Sequence, residues 1–232
     1  MPPTTTLMRS DTLTTTINSD TASRAERLIT ETGVRPTLAT VLVGDDAASV
    51  TYVRMKRRRC EQLGLGTRHL GLPADTSTSE LVDTITDLSR DNAVHGILLQ
   101  HPMGEHIDER AAFDAIAPHK DVDGVTSASF AAMALGQPGF ASCTPGGIIR
   151  LLGHYGIELA GRHTVVVGRS PIRGRTPAPR WTDPQTPDPQ ILTIPRATIR
   201  TARQRHRNCR LEVVHQVGPV HRRTGRMGCA VG

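Results

Sequence analysis

Apolar and polar positions fall into blocks along this chain, and the blocks have the lengths of strands and helices. Leu38–Gly44 reads LATVLVG, an apolar run closed by the turn-forming Gly44-Asp45-Asp46, which predicts a strand buried on both faces. Ser49 to about Leu63 predicts a basic helix stopped by Gly64 and Gly66. His69–Leu72 predicts a short strand. Ser77-Thr78-Ser79-Glu80 has the spacing of a capping box, and the helix it opens, to about Ser89, carries Leu81, Ile85 and Leu88 on one face. Val94–Gln100, VHGILLQ, predicts a second buried strand that ends on a polar residue, and Asp108–Ile116 a further helix. At the N-terminus, residues 1–20 are Thr-rich and expected to be loose, with a short helix over Thr21–Thr32.

Strand and helix alternate throughout this stretch, which predicts an α/β domain with a largely parallel sheet. In such sheets ligands bind outside the carboxyl ends of the strands. Asp45, Asp46 and Gln100 fall there, as does the start of the helix carrying Tyr52 and Lys56. These two lie four apart, on one helix face one turn from each other. The phenol ring can stack on a planar substrate. A lysine near other cations or out of water can give up its proton and serve as a base. Taken alone, a Tyr-x-x-x-Lys pair is ordinarily a solvated helix face, so its weight comes from the motifs further along the chain.

A second unit is expected from near Asp123. Thr144-Pro145-Gly146-Gly147 predicts the start of a helix over Ile148–Tyr155, with Thr144 as cap and Pro145 at the first helical position. His163–Val167 predicts a strand that runs into Gly168-Arg169-Ser170. A strand followed by Gly-Arg-Ser and a later Gly174 can form a phosphate-binding turn through freed backbone N–H groups and the Arg169 charge. As a bare motif it is more often an ordinary turn, since it is not G-x-G-x-x-G.

Composition narrows the class. The chain has 232 residues, only 3% aromatic, so its core must rest on aliphatic side chains. No apolar run approaches the roughly 20 residues that span a bilayer, and the N-terminus lacks a secretory apolar region, so a soluble cytoplasmic protein without membrane contact is expected. Cys60, Cys143, Cys209 and Cys229 show no C-x-x-C pairing, which argues against zinc and against a disulfide framework. Net charge is +6, but Arg173 to the end holds 12 Arg, no Lys and 3 acidic residues, giving +9 there and −3 elsewhere. Such asymmetry raises a nucleic-acid-binding tail as an alternative function; with Trp181 its single aromatic residue and no recognisable module, a solvated tail is favoured.

Taken in order, VLVGDDAAS, YVRMK, VHGILLQHP, KDVDG, SCTPGGI and VVVGRSPI resemble the bifunctional methylenetetrahydrofolate dehydrogenase/methenyltetrahydrofolate cyclohydrolase family, from about Leu38 to Ile172. The resemblance implies two α/β domains, a folate-binding catalytic domain over residues 1–122 and a Rossmann-like NADP-binding domain that starts at 123–172 and is incomplete. It implies NADP-dependent oxidation of methylene-tetrahydrofolate, hydrolysis of the product to 10-formyl-tetrahydrofolate, and a homodimer. It assigns Lys56 to the hydrolytic step, Tyr52 to stacking on the folate ring, Gln100 to a hydrogen bond that tunes Lys56, and Asp123 to the pterin edge. It assigns Gly168, Arg169 and Ser170 to the NADP phosphates. One departure is Gln100-His101-Pro102-Met103 in place of the commoner Gln-Leu-Pro-Leu, where His101 is expected to be a neutral substitute.

Beyond Ile172 the motifs stop. RGRTPAPRWTDPQTPDPQ and an Arg-rich stretch come next, and the prolines forbid the apolar helix expected there. Residues 173–232 therefore read as a divergent or frame-shifted tail, expected to leave the nucleotide domain's strands unpaired. An enzyme reduced to cyclohydrolase action, or an inactive remnant, is the corresponding alternative.

Overall fold

Strand β1 (Thr37–Val43) is flanked on both sides: β2 (Gly66–Leu72) and β3 (Gly96–Leu99) pair with it in parallel, in the order β2-β1-β3. The structure, a computed structural model, describes residues 7–157, residue 159 and the three strands His163–Val167, Gln190–Ile194 and Leu211–Val214. By contact the chain forms two compact units, Thr12–Cys143, and Met1–Asp11 with Thr144–Gly232.

In the first unit, the last five residues of β1 and all of β3 are buried, as a parallel sheet covered on both faces requires. The links from β1 to β2 and from β2 to β3 run in opposite directions across the sheet. Right-handed crossovers then put their helices on opposite faces: α2 (Ala47–Gln62) on one, α3 (Thr78–Arg90) on the other. Asp46 caps α2 by accepting the Ser49 N–H at 2.8 Å. Ser77 and Glu80 form the reciprocal capping box of α3, which buries Leu81, Ile85 and Leu88. The short helix α4 (Glu109–Asp114) packs beside α3 and buries Ala112 and Phe113.

Three boundaries differ from the sequence reading, each for a physical reason. Helix α1 spans Asp11–Thr32, so the Thr-rich segment from Asp11 onward is helical rather than loose. Its threonines bond back along the helix, as the Thr16 and Thr21 hydroxyls donate to the Thr12 and Ile17 carbonyls at 3.1 and 2.8 Å, an option β-branched hydroxyls have in helices. Strand β2 starts three residues before His69, at Gly66, whose N–H donates to the Pro36 carbonyl at 2.8 Å; the edge of β1 extends the pairing. The first unit also continues past Asp123, through α5 (Ser127–Leu135) to Cys143, because the Asp123 loop is bonded into the start of α5.

In the second unit, α6 (Cys143–His154) begins five residues earlier than Ile148. Pro145 is tolerated there because the N–H groups of a first helical turn have no intrahelical partner. Leu152 and Leu159 are buried against Met8, Ile148, Ile149 and Ile157. Tyr155 ties in the N-terminal segment: its hydroxyl accepts the Arg9 N–H at 2.7 Å and donates to the Arg9 carbonyl at 3.1 Å. Strand β4 (His163–Val167) is central and parallel to β5 (Gln190–Ile194) and β6 (Leu211–Val214). The expectation of unpaired strands is thus corrected. QILTI and LEVV are short β-branched runs diluted by the Pro- and Arg-rich composition around them, and they become strands by meeting the two edges of β4.

Ile85 has no exposed surface, so Ile85→Ala is expected to lower unfolding free energy by about 2–5 kcal/mol. Denaturant titration measures this, and a loss below about 1 kcal/mol would mean that the α3 face is loosely packed.

Candidate active site

The sheet order decides where a ligand can sit. In the order β2-β1-β3 the chain reverses direction across the sheet at β1, and in sheets of this kind ligands bind at the carboxyl ends of the strands beside such a reversal, here β1 and β3. From the end of β1 the chain turns through Gly44 and Asp46 into α2, which carries Tyr52 and Lys56. Tyr52 is 61% exposed, a free platform, while Lys56 is half-buried. The Asp46 carboxyl is held below its ordinary range, chiefly by the hydrogen bond from the Ser49 N–H, so the first turn of α2 carries a firmly ionised cap.

Gln100 stands at the end of β3. Its backbone N–H donates to the Val41 carbonyl at 2.9 Å, and its Nε2 donates to the His101 carbonyl at 2.7 Å. A carbonyl only accepts, so the amide nitrogen must face His101, and Oε1 is the end chemically suited to an amine. His101 is no neutral substitute: its Nδ1 lies 2.7 Å from Glu109 Oε1, tying the segment after β3 to the first residue of α4.

The KDVDG segment is brought to the same edge. Asp121 makes an isolated parallel bridge with Ile97 of β3, so the residues after it run toward the carboxyl end of that strand. The approach is close because residue 96 is glycine: a Cβ there would lie 2.6 Å from Val122 Cγ1. Lys120 is buried and donates from Nζ to the Leu88 and Asp91 carbonyls at 3.3 and 2.7 Å, closing the end of α3. Asp121, fully buried, accepts the Val125 and Thr126 N–H groups at 3.1 and 2.9 Å. Thr126 in turn caps α5 by accepting the Ser129 N–H at 3.0 Å. Gly124 has φ +65°, and a Cβ there would meet the Ala141 and Ser142 backbone at 2.6–2.8 Å, so only glycine fits.

Asp123 is half-buried, and its charge and that of Lys56 both act on the Cys143 thiol. The thiol is pushed up to about 11, first by the desolvation of its sulfur, although the residue as a whole is exposed, and then by the charge of Asp123; the Lys56 ammonium pulls the other way. The thiol also donates to the Val122 carbonyl at 3.3 Å. A cation on α2 and a carboxylate 67 positions later, 56 and 123 in number, thus influence the same thiol. Tyr52 stands one turn before Lys56, and Gln100 ends the adjacent strand. Gly168, Arg169 and Ser170 lie outside the described residues.

Sequence reading did not single out Asp121 and Cys143. The available signals were a second carboxylate two residues before Asp123 and a cysteine directly before the Thr-Pro-Gly-Gly helix start. Among the described residues no cluster of His, Cys, Asp or Glu could hold a metal ion, and no helix is long and apolar enough to cross a membrane.

The catalytic-domain model of tetrahydrofolate dehydrogenase/cyclohydrolase matches residues 8–123, and the NAD(P)-binding-domain model of the same enzymes matches residues 142–210. The chain belongs to the tetrahydrofolate dehydrogenase/cyclohydrolase family. The similarity extends past Ile172, where the recognisable motifs stop, and takes much of the Arg-rich stretch into the nucleotide-binding domain. The bifunctional protein FolD 1 of Streptomyces avermitilis is 64% identical over 159 residues, covering 68% of this chain and 55% of that protein. The chain thus spans about half the length of that relative. Among solved structures, the bifunctional FolD of Campylobacter jejuni has a TM-score of 0.77 and 32% identity, covering 83% of this chain and 67% of its own. The Trypanosoma brucei enzyme, solved with NADP and an inhibitor, has a TM-score of 0.83 and 26% identity, covering 91% and 71%.

The Cys143 environment is testable through its proton. Peptide-resolved alkylation of Cys143 is expected to rise with pH around about 11 rather than around the ordinary 9.0. Between these values the folded protein keeps a proton that the unfolded chain has released, so this group's contribution to stability falls as pH climbs through that window. A midpoint at or below the ordinary thiol value would show that Asp123 and burial do not act on it.

Proposed function

We propose that this chain is an NADP-dependent methylenetetrahydrofolate dehydrogenase and methenyltetrahydrofolate cyclohydrolase acting in one-carbon metabolism. The observation that most supports the reading is the Asp121–Ile97 bridge, which carries the chain on to Asp123 beside the strand that ends at Gln100, in a chain of this family. Asp123 accepts two parallel hydrogen bonds from the N–C–N edge of the pterin, which orients the substrate as well as binding it. Tyr52 supplies the stacking surface. In the hydrolytic step, water adds to the electrophilic methenyl carbon and loses one proton to Lys56 Nζ, giving a hydroxyl adduct. As the carbon–N5 bond breaks, the hydroxyl gives up its remaining proton to become the formyl carbonyl and N5 takes up a proton, leaving 10-formyl-tetrahydrofolate. Gln100, accepting from the Lys56 amine through Oε1, holds that amine in place.

For the cofactor, the order β5-β4-β6 makes β4 the reversal point of the second sheet, the position at which such folds bind dinucleotides. Gly168, Arg169 and Ser170 follow that strand directly in sequence and would meet the phosphates. NADP, when bound, supplies hydride acceptance. The chain's part in oxidation is to bind and orient, since hydride transfer requires no side-chain acid or base. The family resemblance further supports a cytoplasmic homodimer.

A second reading, cyclohydrolase action alone, is favoured by one fact: Tyr52, Lys56, Gln100 and Asp123 all precede residue 143, in the first unit. NADP reduction on adding methylene-tetrahydrofolate supports the first reading. Loss of methenyl absorbance without any NADP reduction favours the second. Lys56→Met is expected to lower hydrolysis by about 100-fold or more while leaving folate affinity within a few-fold. Hydrolysis at the unaltered rate would remove the lysine from the mechanism.

A further inference from the structure

Asp123 is the residue proposed to read the substrate, yet its direction is set by its neighbours. Two residues earlier, Asp121 is wholly buried and uses both carboxylate oxygens: Oδ1 accepts the Val125 N–H at 3.1 Å, and Oδ2 the Thr126 N–H at 2.9 Å. Its backbone carbonyl accepts the Gly124 N–H at 3.1 Å. Four bonds of this loop's geometry thus run across Asp123 rather than through it, counting the Val122 carbonyl that accepts the Cys143 thiol at 3.3 Å. A buried carboxylate is costly unless its charge is met by hydrogen bonds. Here two converging backbone N–H groups meet it, and an asparagine could satisfy only one of them.

We propose that Asp121 is a positioning residue which, with the Cys143 thiol as second anchor, clamps the chain on both sides of Asp123 and so aims its carboxylate at the nitrogen-bearing edge of the substrate. This inference rests on the function proposed above. A carboxylate that must accept two parallel N–H bonds tolerates little rotation, so the clamp acts on substrate affinity and specificity rather than on the hydrolytic step at Lys56. The Gly124 turn, pressed against Ala141 and Ser142, closes the remaining freedom of the loop.

The test is a double-mutant cycle on the full chain, with tetrahydrofolate as the probe and calorimetry under reducing conditions as the measurement. Asp121→Asn is expected to weaken tetrahydrofolate about tenfold without changing NADP affinity. In an Asp123→Ala background the same change should weaken it by less than about twofold, since the group being aimed is gone. Cys143→Ala should also weaken tetrahydrofolate binding, while Cys143→Ser, whose hydroxyl can still donate to the Val122 carbonyl, should restore it. A wild-type affinity in Asp121→Asn, or a loss that is the same in both backgrounds, overturns the inference and leaves Asp121 a purely structural cap. Where Asp121→Asn fails to fold, the cysteine pair decides: equal affinities for Ala and Ser at residue 143 overturn it. Wild-type protein that does not bind tetrahydrofolate defeats the functional reading itself, and this one with it.

Discussion

Parallel pairing of β1 on both edges is the constraint on which the first unit depends. Once β2 takes one side and β3 the other, the connections must cross the sheet in opposite senses, and the helices must cover opposite faces. In sheets of this kind the carboxyl ends of the strands beside the reversal, here β1 and β3, are where ligands bind. Every group of the candidate site reaches that edge by a short path: α2 directly from β1, Gln100 directly from β3, and the KDVDG segment by running alongside β3.

KDVDG is a folding device as much as a binding motif. Lys120 satisfies carbonyls at the end of α3, Asp121 satisfies N–H groups at the start of α5, and Val122 fills the space that Gly96 leaves on β3. Gly124 supplies a backbone conformation and a close approach that other residues cannot. Two oppositely charged side chains are buried in sequence, each bonded to backbone groups and not to each other. Such an arrangement gives up the solvation of both charges in return for fixing two helix ends and the loop between them. Asp123 takes no part in these backbone bonds.

The second unit repeats the wiring of the first. Its first strand is again central, with later strands added in parallel on either side. Two of those strands come from a region whose composition argues against order, and the family's nucleotide-binding domain is traceable there to residue 210. Average composition is a poor guide to such segments. Strands of five and four residues are sufficient when a central strand presents two edges for pairing.

Much of the first unit was legible in the sequence because its signals are local. The capping box at Ser77 and Glu80, the apolar stripe Leu81–Ile85–Leu88 and the runs LATVLVG and GILL each encode their state within a few residues. Tyr52, Lys56 and Gln100 were readable for the same reason, lying next to strand ends. The extent of α1 was hidden because threonine's helix-compatible hydrogen bonds appear only once the helix exists. Pairing of β5 and β6 was hidden because a strand's partner lies elsewhere in the chain. The work of Asp121 and Cys143 was hidden too. A hydrogen bond from residue 143 to residue 122, and an Asp121 bridge to Ile97, exist only after the chain has brought distant segments to a common edge. Local pattern thus determined which elements form and which residue types stand at their ends, whereas tertiary structure alone decided which of those ends share a site.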